Sequence, residues 1–377
     1  MHGQRANPKC DDGSVVVLFL SGDVMTGRGV DQILPAAGEP RLWEQYAASA
    51  REYVALAEAA SGPIRQPVDF SWPWGDAMQV LDELAPDLRI VNLETSITSS
   101  DDFQPAKAVL YRMHPGNVAC LTTARLDACA LANNHVLDFG VGGLEETLDV
   151  LTPAGLGPVG AGLDEQQAWH PVVLTAGDLR VLLWSVGSAS SGVPHSWAAG
   201  PEGAGVAFLS EHSDADAEAL CERVRRVKQH GDIAIVSVHW GSNWGYHIPR
   251  AQVRFAHRLI DSGVDVVHGH SSHHPRPIEV YRDRLVLYGC GDLINDYEGI
   301  GGQERFRGDL RLLYLARLDP DGRLDELQMV PLQSRQLRLW HATERDARWL
   351  HRVLHKASRG FGSRVELARD ASLLLLR

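Results

Sequence analysis

The chain has 377 residues, 44% hydrophobic and 22% charged, which is ordinary for a globular protein and long enough for one large α/β domain or two smaller ones. Its formal net charge of −12 argues against a nucleic-acid partner, because phosphate backbones select basic faces. A small anionic substrate stays open, since bound cations invert a local field.

Met1 to Ser14 is polar and reads as a disordered tail. Val15–Ser21 is a β-branched, apolar run ending in Gly22-Asp23, the pattern of a buried strand. It is too short to span a membrane and lacks the flanks of a signal peptide, so a cytoplasmic protein is expected. Arg41–Ala60 has helical composition and stops at Ser61-Gly62-Pro63; Trp74–Leu84 reads as a second helix. Leu88–Val91 is a strand followed by Asn92-Leu93-Glu94. Thr98–Gln104 is a polar loop, Asn117–Arg125 a short helix, Ala128–Ala132 a strand and Gly142–Leu151 a helix. Val172–Ala176 and Arg180–Val186 form a hairpin across Gly177-Asp178. Ser188–Gly205 is a long loop and Asp214–His230 a charged helix. Ile233–Val238 is a strand, Ala251–Ser262 a helix and Val264–Val267 a strand. Two hairpins follow, Pro277–Tyr281 with Leu285–Gly289 and Leu310–Leu318 with Leu324–Leu332. Thr343–Gly360 is the last helix. This mixture predicts a two-sheet core flanked by helices.

Five scattered cysteines, Cys10, Cys120, Cys129, Cys221 and Cys290, contain no Cys-x-x-Cys pair. That argues against a disulfide framework and a zinc ribbon, and fits a reducing compartment.

Five strand ends each deliver ligand-type residues: Asp23; Asn92 and Glu94; Asn133, Asn134, His135 and Asp138; His239; and His268, His270 and His273. Sites in α/β folds lie beyond the carboxyl ends of strands. Carboxylate, amide and imidazole together suit a borderline divalent ion such as Mn²⁺, Fe²⁺ or Zn²⁺. Taken singly, Asp23 reads as a turn residue, Glu94 as a helix-entry carboxylate and Asn133-Asn134 as left-handed turn formers. Only the recurrence at five ends favours ligands. His170, His195 and His212 read as surface histidines, His268 and His274 as bystanders or supports, and Asp292 as either a cap or a support.

The runs Gly22-Asp23-Val24-Met25-Thr26-Gly27-Arg28, Asn92-Leu93-Glu94-Thr95, Leu131 to Gly140, His239-Trp240-Gly241 and Gly269-His270-Ser271-Ser272-His273 resemble, in order, five motifs of the CapA (poly-gamma-glutamate capsule biosynthesis) family. Tyr288-Gly289-Cys290-Gly291-Asp292 stands where that family has Tyr-Ser-Leu-Gly-Asn-Phe. The family is similar to calcineurin-like metallophosphoesterases. The resemblance therefore implies an α/β fold, a four-layer α/β/β/α sandwich, with a domain over 15–335 and a C-terminal helical extension, 336–377, packed on it. It implies one or two divalent ions, with Asp23 and His273 on one, Asn134, His239 and His270 on the other, and Glu94 bridging. It further implies a metal-dependent hydrolase using metal-activated water, with His135 as general acid, Asp138 orienting it and Arg28 neutralising substrate charge. Tyr111, Arg112 and His114, and Trp244, Tyr246 and His247, are expected to line the substrate pocket. Phosphoester hydrolysis, action on amide-linked acidic substrates in capsule biosynthesis, and a non-catalytic metal-binding scaffold all stay open. Two residues depart from the family pattern: Met25 replaces a histidine ligand and Asn243 replaces a glutamate. Oligomeric state is not legible.

Overall fold

The computed structural model describes residues 15–105 and 107–376; the tail expected over 1–14 lies outside the described residues. In the opening strand, Val16–Val24, side chains alternate. Val16, Leu18 and Leu20 enter one apolar core, while Phe19 and Val24 enter another. A strand buried on both faces needs partners on both sides and a cover above and below.

Its partners make a ten-stranded mixed sheet. Leu88–Leu93, Ala128–Ala130 and Gly157–Val159 follow in parallel on one side. On the other, Leu310–Leu318 and Leu324–Arg335 pair antiparallel, and Leu373–Leu376 and Arg364–Leu367 extend the sheet. Asp292–Ile294 adds a short parallel partner beside Asp23. A seven-stranded sheet holds Leu179–Ser188, Ile233–His239, Val266–His270 and Arg284–Leu287 in parallel, with antiparallel Val172–Ala176 and Ile278–Tyr281.

The two sheets face each other. Val16, Leu18, Leu20, Leu88 and Ile90 share a core with Val181, Leu183, Ile233, Ile235 and Val266. The outer face of the large sheet is covered by helices Arg51–Ser61, Ala77–Leu84 and Gly140–Leu151. The outer face of the smaller one, with Leu182, Trp184, Ala234 and Val236, is covered by Asp214–Val227 and Arg250–Asp261. In the former helix Ala217, Leu220, Cys221 and Val224 recur at helical spacing, and a capping box between Ser213 and Asp216 starts it. The expected mixed α/β class is thus observed.

Several element boundaries differ from expectation. Of Arg41–Ala60 only Arg51–Ser61 is helical, because the Glu52 carboxylate accepts from Ala48 and Ser49 N–H and fixes the entry there. The segment 336–376 carries the helix Glu344–Ser358 as expected. It also carries strands Arg338–His341, Arg364–Leu367 and Leu373–Leu376 that join the large sheet, so it is not simply helical. Those strands were missed because Leu373–Leu376 is a short unbroken apolar run without alternation. Among the described residues, no helix is long and apolar enough to cross a membrane. Cys120, Cys129, Cys221 and Cys290 are free and buried.

The fold positions the site through register. Parallel pairing sets Asp23 beside Asn92 and Asp292, and His239 beside His270. Close approach at this edge requires Gly22: a Cβ there would stand 1.7 Å from the Gly291 carbonyl oxygen.

Ile235→Ala, in the core between the sheets, is expected to cost about 2–5 kcal/mol, whereas Val173→Ala, 47% exposed, stays within about 0.5 kcal/mol. Urea unfolding of both variants measures this, and equal costs would contradict the sheet-on-sheet core.

Candidate metal centre

Asp23 is fully buried at the end of the opening strand. Its Oδ1 accepts from Asn92 Nδ2 (2.8 Å) and Ser271 N (3.3 Å), while Oδ2 has no partner. An ionisable oxygen without a partner in the interior is costly unless a proton or cation meets it. Two groups of ligand-type atoms converge here, each within 4.8 Å: Asp23 with His239 and His270, and Asp23 with His273 and Asp292. Asp23 is common to both.

In the first group, His239 Nδ1 and His270 Nδ1 are 2.8 Å apart, and His239 Nε2 is 3.0 Å from Asn134 Oδ1. Ser237 Oγ lies 2.8 Å from His270 Nε2 and 3.1 Å from His268 Nδ1, and His268 Nε2 donates to the Ser21 carbonyl at 2.7 Å. These contacts fix the rings. Burial drives His239 and His270 well below the ordinary histidine value, so both are neutral, the form a cation binds.

In the second group, His273 Nδ1 meets Asp292 Oδ1 at 2.9 Å, and Asn243 Nδ2 lies 3.1 Å from His273 Nε2. Asn295 donates to Asp292 Oδ2 at 2.7 Å and accepts from the buried Arg311 at 2.9 Å. Against the upward pull of burial, His273 and Arg311 hold Asp292 low. Burial and the Asp292 charge raise Asp23 to about 7, and burial with Asp23 raises Glu94 well above the carboxylate range. The donor set, two carboxylates with three imidazoles, suits a borderline divalent cation.

Glu94 lies at the edge of these groups. Its Oε2 accepts from Asn92 (3.1 Å), and Oε1 faces His135 Nε2 (3.8 Å) and His239 Nε2 (3.9 Å). It lies beside the two groups and is part of neither, and Asp23 is the residue common to both. The reason is register: Asp23 lies directly between Asn92 and Asp292, whereas Glu94 is just past its strand. Met25 is buried and apolar, and the carboxylate of Asp292 stands in the second group instead.

His135 is 6% exposed, and its Nδ1 lies 2.6 Å from Asp138 Oδ2, so Nδ1 carries the proton and Nε2 faces Glu94. Burial lowers it to about 4, against the pull of Asp138. Asp138 also accepts from Tyr111 N (2.7 Å) and pairs with Lys107. Lys107 was not anticipated; it comes from a polar loop with no local motif.

The remaining sequence candidates divide. Arg28 is 3% exposed and committed to Asp296 and Glu44, with Tyr53 and Tyr111 against its guanidinium. Its charge is paired inside the protein, at the wall of the cleft described below. Tyr111 packs edge-on to His135 at 4.7 Å. Arg112 turns away to Ser100 O and Asp101, and His114 caps a turn at Gly116 N. Neither lines the cleft. Trp244 does: a cleft of about 1160 Å³ runs past Trp244, Tyr297 and Tyr53 to His273 and Asp292. Tyr246 packs on His274 and Phe306 behind it, and His247 is exposed. Asn133 shapes the turn through its side chain, its Oδ1 accepting from His135 N and Val136 N; neither it nor Asn134 takes the left-handed backbone expected of a turn former there. Asp292 could have been raised above a support only by knowing its pairing with Asp23.

The family described as bacterial capsule synthesis protein PGA_cap matches residues 17–297. A probable polyglutamine synthesis accessory protein of Mycobacterium tuberculosis is 53% identical over 354 residues, 93% of each chain. The PGA biosynthesis protein CapA of Bacillus subtilis is 25% identical over 331 residues, 86% of this chain and 74% of its own. Among solved structures, a hypothetical protein from Thermus thermophilus covers 85% of this chain and all of its own, at 14% identity and a TM-score of 0.45.

Burial holds His268 to about 4, against 6.5 ordinarily. Its stabilising contribution is therefore full above about pH 6.5 and is lost as pH falls toward 4. In chelator-treated protein, the stability gap between wild type and His268→Gln, about 1–3 kcal/mol at neutral pH, should narrow on acidification to about pH 5. A gap that widens would overturn the assignment of a neutral, donating His268.

Proposed function

The chain belongs to the bacterial capsule synthesis protein PGA_cap family, and from that premise we propose that it is an accessory protein in the synthesis of a poly-acidic, glutamate-type polymer, acting on an amide-linked acidic substrate at a divalent metal centre. The observation that carries the metal centre is the partnerless, buried Asp23 Oδ2 at the shared corner of two ligand groups. The polymer comes from the relatives, which are named for polyglutamine and PGA synthesis.

In this reading Asp23, His239 and His270, with Asn134 beside them, hold one cation. Asp23, His273 and Asp292 hold a second. Mn²⁺, Fe²⁺ and Zn²⁺ suit the mixed donor set. When bound, such a cation supplies Lewis acidity toward a carbonyl or phosphoryl oxygen. Ser237, Asn243 and Asn295 keep the ligand side chains oriented. His135 handles a proton at Nε2, with Asp138 holding Nδ1. Trp244 and Tyr297 wall the cleft through which a small anionic substrate enters. The same paired groups and the His135–Asp138 couple favour a second reading, phosphoester hydrolysis, because both chemistries need a polarised oxygen and a proton relay. We take residues 15–335 as the catalytic domain, and the stack of helices, two sheets and helices as a calcineurin-like sandwich.

Elemental analysis of the purified protein should find one or two equivalents of Mn, Fe or Zn, lost in His239→Ala and reduced in Asp292→Asn. No metal, and none taken up on titration, would sink the metal centre.

Substrate assays separate the two chemistries. Glutamate release from a γ-linked oligomer, without turnover of an aryl phosphate, is the expected result, and the reverse pattern would favour the phosphoesterase. His135→Ala should lower the observed turnover by roughly 10²–10⁴-fold with metal content unchanged. If metal content falls equally, His135 is a ligand and the proton role is wrong.

A further inference from the structure

Behind the turn at Trp240-Gly241 lies a separate pocket of about 400 Å³, lined by Ser190, His212, Ser242, Trp244, Gln252 and Arg276 among others. Arg276 is 1% exposed. Among the described residues its side chain donates only to Ser242, at O (2.5 Å) and Oγ (3.0 Å), and Nε has no partner. Among the described residues no carboxylate pairs with it, and burial shifts the guanidinium down to about 10. A buried cation without a counter-charge costs several kcal/mol, so interiors pair such groups.

The neighbouring groups are also polar and unspent. Gln252 is 2% exposed and lines the same pocket; its Oε1, an acceptor, has no partner, so its amide nitrogen is the group that would meet an anion. Arg276 Nη1 and Gln252 Nε2 each lie 2.9 Å from where a Cβ on Gly241 would stand, so the two side chains converge on one spot. Gly241 has φ +82° and no side chain, which lets both groups pack against its backbone at the pocket wall. His212 is not the plain surface histidine its sequence context indicates. It lies edge-on to Trp240 and Phe255, and its buried Nε2 is partnerless.

We propose that this pocket binds an oxyanion, a carboxylate or a phosphate group, between Arg276 and Gln252. A guanidinium meets either group with two parallel hydrogen bonds, and the side-chain amide adds a neutral donor. The site stands on its own residues and not on the metal reading, although Trp244 lines both this pocket and the cleft at His273.

The test is calorimetric titration of the full chain with inorganic phosphate and, separately, with glutarate, in wild type, Arg276→Gln, Gln252→Glu and His239→Ala. Gln252→Glu places a carboxylate beside Arg276 and pairs it internally, so it decides the matter even if Arg276→Gln does not fold. The expected result is a loss of at least roughly tenfold in affinity in Gln252→Glu and Arg276→Gln, with binding kept in His239→Ala. Tighter phosphate binding assigns a phosphate-bearing ligand, and tighter glutarate binding a carboxylate. Unchanged affinity in Gln252→Glu, loss in His239→Ala equal to that in Gln252→Glu, or no binding of either anion to wild type would each overturn the proposal.

Discussion

Asp23, Glu94 and Asp292 are buried at neighbouring strand ends, and three carboxylates cannot all ionise in an apolar interior without a proton or cation between them. The rest of the site is arranged around that electrostatic demand. Asn92 donates to both Asp23 and Glu94, and is itself held by Asn133. Arg311 is hydrogen-bonded to Asn295, which donates to Asp292, and its charge with that of His273 holds Asp292 low. Arg28 spends its charge on Asp296 and Glu44 instead. The interior thus leaves Asp23 Oδ2 open while satisfying most groups around it.

The two-sheet core is what permits such a concentration of polar groups. Its strands bring apolar residues from both sheets into one layer below the site, with Leu20, Ile90 and Ile235 among them. That layer anchors strand ends that would otherwise repel one another. Rigid strands also suit ligands better than loops do, because their side chains are directed by register and not by a mobile backbone. The histidine rings show it: Ser237, itself on a strand, lies within hydrogen-bonding distance of both His268 and His270.

Membership of the capsule synthesis family and the metal-centre geometry address different questions. The family relation bears on the pathway, since the relatives are named for polyglutamine synthesis and PGA biosynthesis. The geometry bears on chemistry, since it brings two carboxylates and three imidazoles to one place. Trp244 and Tyr297 line the cleft beside His273 and Asp292, so one cleft opens onto the second ligand group.

Much of this was legible from sequence. Short, unbroken β-branched and apolar runs at Val15–Ser21 and Ile233–Val238 announced buried strands, and each was followed by a residue able to bind a cation, Asp23 and His239. The motif order carried the family. These are local signals, and local sequence holds them. What only the tertiary structure decided depends on residues far apart in the chain. Parallel pairing put Asp292 beside Asp23 and so made Asp23, not Glu94, the shared carboxylate. Packing enclosed Arg28 between two carboxylates and left Arg276 without one. No spacing rule conveys either outcome, because whether a charge is paired depends on which distant strand or loop folds against it.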